Sequence, residues 1–359
     1  MYIEKLKLRD FRNYKWAELE FSPLTNIIYG DNAQGKTNIL EAVYLFSQGR
    51  SHRAKTDKEL VRFGCNFAGL EIDFSDTHRS YNGKMQITDN GRKAVRINHI
   101  NIGKLSQLMN YLNVVMFSPE DLKLVKGSPG NRRRFMDSAI SQMYPSYLSA
   151  LLDYNKILNQ KNSLLKTLKY KGGDFATLEI WNGELARNMV KIMEARQEFI
   201  KDINGWAKGI QNEISKEELE LSYMPNIRLG DNSEAEIFEF LTSRSNREID
   251  AGGALYGVQR DDINIHINGN DAKLYASQGQ QRTSALSMKI AQSEYINEKK
   301  GEYPILLLDD IMSELDVSRR MYLSERIKDK QVLITSTDTD IKNNSSQTRL
   351  FRIKNGEVL

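Results

Sequence analysis

The sequence predicts an α/β fold: a P-loop ATP-binding head with a helical, short coiled-coil arm inserted into it. Three observations predict it. Gly30 to Thr37 reads GDNAQGKT and fills every fixed position of the phosphate loop G-x-x-x-x-G-K-[ST]. Two long helical runs occupy the middle of the chain, from Asn131 to about Tyr170 and from Ala176 to Ser215. After them the tail alternates helix and strand, the signature of a parallel sheet. The implied division is 1–117 for the head lobe with the phosphate loop, 118–216 for the arm, and 217–359 for the remainder of the head.

Along the chain, strands are expected near Tyr2 to Leu8 and at Trp16 to Phe21. Thr25 to Tyr29 (TNIIY) reads as a buried strand entering the phosphate loop, and Asn38 to Phe46 (NILEAVYLF) as the helix leaving it. Phe67 to Phe74 and Lys84 to Ile97 read as a meander with Asn90-Gly91 as a type I′ turn. Asn113 to Phe117 is a short buried strand ended by Pro119. In the arm, Pro145 breaks or kinks the first helical run, and Lys171-Gly172-Gly173-Asp174 separates the two. Trp181, Leu185, Met189, Ile192, Phe199, Ile203, Trp206 and Ile210 recur three or four apart, the seam of an antiparallel pair that Arg196 interrupts. The same periodicity would also serve a helical subdomain packed flat on the body. Beyond it lie a strand at Leu219 to Tyr223, a helix around Ala235 to Leu241, and a hairpin from Ile263 to Tyr275 turning at Asn268-Gly269. Gln280 to Asn297 (helix), Ile305 to Leu308 (strand), Asp316 to Lys328 (helix) and Val332 to Thr335 (strand) complete the order.

A phosphate chain requires backbone N–H donors from a loop too tight for side chains, backed by the positive end of a helix. Gly30, Asp31, Asn32, Ala33, Gln34, Gly35, Lys36 and Thr37 are therefore the expected ATP-binding segment. Lys36 reaches the β and γ phosphates, and Thr37 is a ligand of Mg²⁺. The acidic partner is expected at the end of a buried strand, and ILLLDD from Ile305 to Asp310 supplies it. Asp309 is the candidate Mg²⁺ ligand through water, and Asp310 stands where a catalytic base would polarise the attacking water. Upstream stands SQGQQR, with Ser277, Gln278, Gly279 and Gln280 at a helix start; downstream stands SELD, Ser313 to Asp316. Three such segments in this order are the layout of ABC-type ATPases, in which the Ser-x-Gly-Gln loop of one subunit closes on the γ phosphate held by the other.

With these motifs in place, the chain resembles the RecF family of bacterial recombinational and gap-repair proteins, relatives of the SMC-type chromosome ATPases. MYIEKLKLRDFRNY, GDNAQGKTNILEAVY, GRSHR, FSPEDLKLVKGSPGNRRRFMD, ASQGQQRT and LLLDDIMSELD carry the resemblance nearly end to end. It implies an ATP-dependent homodimer that binds duplex or gapped DNA junctions without regard to sequence. It further implies work with RecR and RecO in loading RecA during DNA damage repair, replication and the SOS response. The family's GPHRDD reads GVQRDD here, from Gly257 to Asp262. Asp310 is one methylene shorter than the glutamate common in ABC enzymes, so slow hydrolysis is expected, with ATP acting mainly as a dimerisation switch. A non-hydrolysing scaffold or another SMC-like head-and-arm ATPase is the rival reading. A transporter subunit is disfavoured by the arm and by the lack of a histidine after Val332 to Thr335.

Composition sets the remaining bounds. With 51 basic and 47 acidic residues among 359, the net charge is +4, so attraction to DNA must come from local clusters. Two qualify: Arg50, His52, Arg53 and Lys55, and Lys123, Lys126, Arg132, Arg133 and Arg134. Each could equally be a solvated face, and the first could contact nucleotide. Arg132, Arg133, Arg134, Arg50 and Arg53 are the DNA candidates, and recognition is expected through backbone shape. One cysteine, Cys65, excludes an internal disulfide. No apolar run of bilayer-spanning length and no cleavable leader appear, so a cytoplasmic protein without membrane contact is expected.

Overall fold

The computed structural model describes residues 1–173, 175–228, 230, 233–337 and 348–359. Asp174, expected in the break between the arm helices, lies outside them. The chain forms two compact units, one of 1–122, 213–216 and 285–359, the other of 123–212 and 217–284. The segment 217–284, expected with the head, thus belongs to the same unit as most of the arm. Among the described residues, no helix is long and apolar enough to cross a membrane.

Among its described residues the first unit contains two six-stranded sheets. In one, the order runs from Glu357–Val358 through Thr348–Lys354, Thr25–Tyr29, Val332–Ser336 and Ile305–Leu308 to Val114–Phe117. All pairings but the terminal hairpin are parallel. Parallel strands covered on both faces become continuous apolar runs, which is why Ile305–Leu308 has the bounds its sequence predicts; Thr25–Tyr29, also as expected, is buried even at polar Thr25 and Asn26. The carboxyl ends of three adjacent strands, Tyr29, Ser336 and Leu308, therefore open on one edge, where α/β proteins bind ligands.

The other sheet is antiparallel, in the order Tyr14–Glu20, Tyr2–Phe11, Phe67–Ser75, Ser80–Thr88, Lys93–Ile97 and Ile100–Asn101. Ile3, Leu6, Leu8, Leu70, Ile72, Met85 and Ile87 pack inward with Leu40, Val43 and Phe46 of the helix Lys36–Gln48. Asn90-Gly91 is not the expected type I′ turn. Gly91 has positive φ and Asn90 does not, and the Gly91 amide donates to the Thr88 carbonyl across a longer loop.

In the second unit, Pro145 starts a new helix, Pro145–Lys171, after Pro129–Met143, with extended Tyr144 between them. The longest helix, Ala176–Ser215, buries Leu185, Met189, Ile192, Phe199, Ile203 and Ile210 as expected. Trp206 departs from the seam at 42% exposure. The interruption at Arg196 has a specific cause. Its guanidinium, 1% exposed, donates to Asp137 at 2.8 Å, Asp261 at 2.7 Å and the Val258 carbonyl at 2.8 Å. Asn268 and Gly269, both at positive φ, form the expected tight turn, but Ala272–Tyr275 is helical where strand was expected. The helix Ser245–Ala251 was not anticipated.

Burial pushes the Asp261 carboxyl upward while Arg196 and the Tyr223 hydroxyl pull it down. Removing Arg196 leaves buried Asp261 and partly buried Asp137 without their shared cation, so Arg196→Met should cost about 3–5 kcal/mol. Urea unfolding of the two proteins measures the loss, and an unchanged midpoint would contradict the assigned role.

Candidate functional site

The phosphate loop leaves Tyr29 through Gly30, Ala33 and Gly35 at φ of 151°, 63° and 114°. A Cβ on Gly30 would lie 2.3 Å from the Ile353 carbonyl oxygen, and one on Gly35 would lie 2.6 Å from the Asn13 amide. Glycine is needed at both positions by conformation and by space. Asp31, Asn32 and Ala33 form an exposed crown, whereas Lys36 is buried, its ammonium donating to the carbonyls of Gly30 at 2.7 Å and Asp31 at 2.9 Å.

Sequence reasoning missed the braces beneath this loop. The Asn13 amide donates to the Gln34 carbonyl at 2.8 Å, and Tyr14 donates to the Gly35 carbonyl at 3.1 Å. Gln34 also receives the Asn355 amide on its side chain at 2.5 Å and the Gly356 amide on its carbonyl at 3.2 Å. Asn355 and Gly356, at φ 50° and 75°, are the turn of the terminal hairpin. Its Asn-Gly dipeptide is the strongest short hairpin signal a sequence offers. Arg12, at positive φ, is fixed by a bidentate pair to Glu41 at 2.8 and 2.6 Å. Burial would raise the Glu41 carboxyl, but Arg12 and Ser51 outweigh it and hold the group below its ordinary range.

Opposite the loop, Thr37 donates to Asp309 Oδ1 at 2.8 Å, and the Thr335 hydroxyl lies 2.9 Å from the same oxygen. Thr335 also accepts the Asp310 amide at 2.9 Å, fixing Asp310 at φ 50° as the start of the short helix Ile311–Glu314. Burial raises the Asp309 carboxyl and adjacent Asp310 adds to the shift, against the hydroxyl donors and the Arg53 field. A hydroxyl beside a desolvated carboxylate with a second acid next to it is an all-oxygen set suited to a hard cation such as Mg²⁺, which takes few protein ligands and leaves room for phosphate oxygens. Thr37 and Asp309, the residues expected from sequence, are thus in contact.

Ser277 and Gln280 lie in the second unit. They cap the helix Gln278–Lys300 reciprocally, the Ser277 amide to Gln280 Oε1 at 2.8 Å and the Gln280 amide to Ser277 Oγ at 3.2 Å. Ser277 and Gln278 are exposed.

The arginine expectation needs correction. Arg132 is 3% exposed and grips Asp262 through two bonds of 2.5 and 2.8 Å, with a third to the Gly127 carbonyl at 3.1 Å. It is a structural cation and presents no charge for DNA. Arg133 donates to the Asp261 carbonyl at 2.8 Å, and only Arg134 of the three is exposed. GVQRDD is therefore the anchor of this cluster, and its Gln259 accepts the buried Tyr154 hydroxyl. Arg50 is exposed, while Arg53 donates to Asn38 at 3.2 Å, beside the phosphate loop.

The RecF/RecN/SMC N terminal domain model matches residues 2–358. The DNA replication and repair protein RecF of Staphylococcus carnosus is 43% identical over 370 residues, covering 100% of both chains. This chain belongs to the RecF family. RecF of Staphylococcus haemolyticus is also 43% identical, over 376 residues. Solved structures of the recombination mediator protein RecF in the RecFOR pathway superpose closely. RecF-ATPrS gives a TM-score of 0.92 at 35% identity, covering 99% of this chain and 97% of that one. RecF-ATP gives 0.93 at 34%, covering 100% and 97%. An Smc head bound to the C-winged helix domain of ScpA shares the fold, with a TM-score of 0.59 at 16% identity. An ABC-type head with an inserted helical arm, the expected class, is the fold of this family.

Asp309→Asn provides a test with a definite sign. A raised carboxyl binds its proton more tightly in the folded chain, so the cation-free protein loses stability as pH rises through that value. The amide should therefore raise the melting midpoint at neutral pH without Mg²⁺, and the difference should vanish in acid. With Mg²⁺ and ATP added, the parent should gain more than the variant. A variant less stable at neutral pH without the cation would contradict this picture.

Proposed function

We propose that this chain is an ATP-dependent DNA-binding protein of bacterial recombinational and gap repair, acting in the cytoplasm. ATP joins two copies around DNA, and the pair works with RecO and RecR to load RecA. The observation that carries the reading is the contact between Thr37 and Asp309, which completes a phosphate-loop site in a chain similar along its length to RecF solved with ATP.

The residues divide the work. The backbone amides of Asp31 to Gly35 donate to phosphate oxygens, and Lys36 exchanges the Gly30 and Asp31 carbonyls for the terminal phosphates. Mg²⁺ at Thr37 and Asp309 would neutralise charge on the phosphate oxygens. Arg53, beside Asn38, serves the nucleotide more naturally than DNA. The Ser277 to Gln280 helix start of one copy closes on the γ phosphate held by the other. Asp310 orients the attacking water, and its short side chain keeps hydrolysis slow, so that ATP works mainly as a switch. Exposed Arg134 and Arg50, with Arg133, offer charge to the DNA backbone.

Ser277→Arg tests the reading, because it places bulk and charge at the proposed partner contact while leaving the phosphate loop intact. The parent should hold duplex DNA at least tenfold more tightly with ATP than with ADP, and the variant should lose that gain yet bind ATP normally. Competition binding measures both; a variant that keeps the gain would refute closure through Ser277.

A further inference from the structure

The antiparallel sheet of the first unit turns its apolar face to the core, and strand alternation places the intervening side chains on the opposite face. Pairing register sets Trp16, Arg9, Gly69, Gln86 and Ala94 in one row across five strands. Glu18, Lys7, Glu71, Lys84 and Arg96 form the next row. Gly69 at the centre of the row has no side chain and Ala94 at its end has a short one, and the row leaves a trough of about 460 Å³. Trp16 forms a wall at 53% exposure. The Arg9 guanidinium lies 5.3 Å from the Phe67 ring centre while its side chain remains 63% exposed.

Charge on the trough is one-sided. Lys7, Arg9, Lys84 and Arg96 line it against a single acid, Glu71, which is paired with Lys84 at 3.0 Å. Glu18, at the end of its row, is held by Lys5 at 2.5 Å. No such combination can be read along the chain, since five strands contribute to it.

We propose that this trough binds single-stranded nucleic acid, with a base against the Trp16 ring and the flanking phosphates on Lys7, Arg9 and Arg96. Rings flanked by cations on an open sheet face are the general means of holding unpaired bases without reading their sequence. A duplex offers no free base face to Trp16. An extended acidic peptide would find the cations but no backbone partners, because the central strands of the trough are paired on both sides. The site does not depend on ATP-driven pairing of two copies, so it is tested without nucleotide.

The probe is a fluorescent oligo(dT) strand. Trp16→Ala should weaken its binding about tenfold or more, the usual effect of losing one stacked base. Lys7→Ala with Arg9→Ala should lower the salt slope by about 0.7 for each lost phosphate contact. All of these side chains face solvent, and unchanged ATP binding verifies the fold. In W181F/W206F, which keeps Trp16 as the only one of three tryptophans, oligo(dT) should quench emission. Unchanged affinity in Trp16→Ala, or no quenching in W181F/W206F, would overturn the proposal. Quenching by an Asp- and Glu-rich peptide carrying phenylalanine, but not by oligo(dT), would overturn it in favour of a protein partner.

Discussion

One carboxylate oxygen, Asp309 Oδ1, lies within hydrogen-bond reach of the Thr37 and Thr335 hydroxyls at the carboxyl edge of the parallel sheet. Thr37 and Asp309 stand 272 residues apart, and the whole second unit is inserted between them. The parallel order of Thr25–Tyr29, Val332–Ser336 and Ile305–Leu308 makes their meeting unavoidable, because all three strands end on the same side. Burial raises the Asp309 carboxyl and the two hydroxyls pull it back down, so the contact offsets part of the cost of burying the charge.

The second unit rests on a different constraint. Arg196, Arg132 and Arg133 converge on Asp261 and Asp262, with Asp137, Tyr147 and Tyr223 completing the bonds around them. Buried charge of this density contributes little net stability but is costly to disrupt. It fixes how the helices meet the short strand pair Leu219–Met224 and Asp262–Ile267. Arg132 and Arg133 of the RRR run and Asp261 and Asp262 of the RDD run are two halves of one bonded cluster, while Arg134 and Arg260 remain exposed.

Legibility followed physical cause. Ile305–Leu308 was readable because burial on both faces leaves an unbroken apolar run, and Thr25–Tyr29 because its apolar end runs straight into the phosphate loop. Pro145 announced its own break, and the phosphate loop announced its chemistry through glycines that no other residue could replace. Arg132 was misread because a basic run carries no record of which members turn inward. The loop braces at Asn13 and Gly356 stayed hidden because each is a long-range contact of an ordinary turn residue, and the hairpin signal of Asn355-Gly356 went unread. The aromatic and basic trough was invisible for the same reason, being assembled by register across strands.

The central claim is that ATP, through a site completed by a second copy, controls assembly. Solution mass measured with ATP, with ADP and without nucleotide tests it most directly. The account predicts a dimer with ATP and a monomer in the other two conditions. The same mass in all three would contradict it.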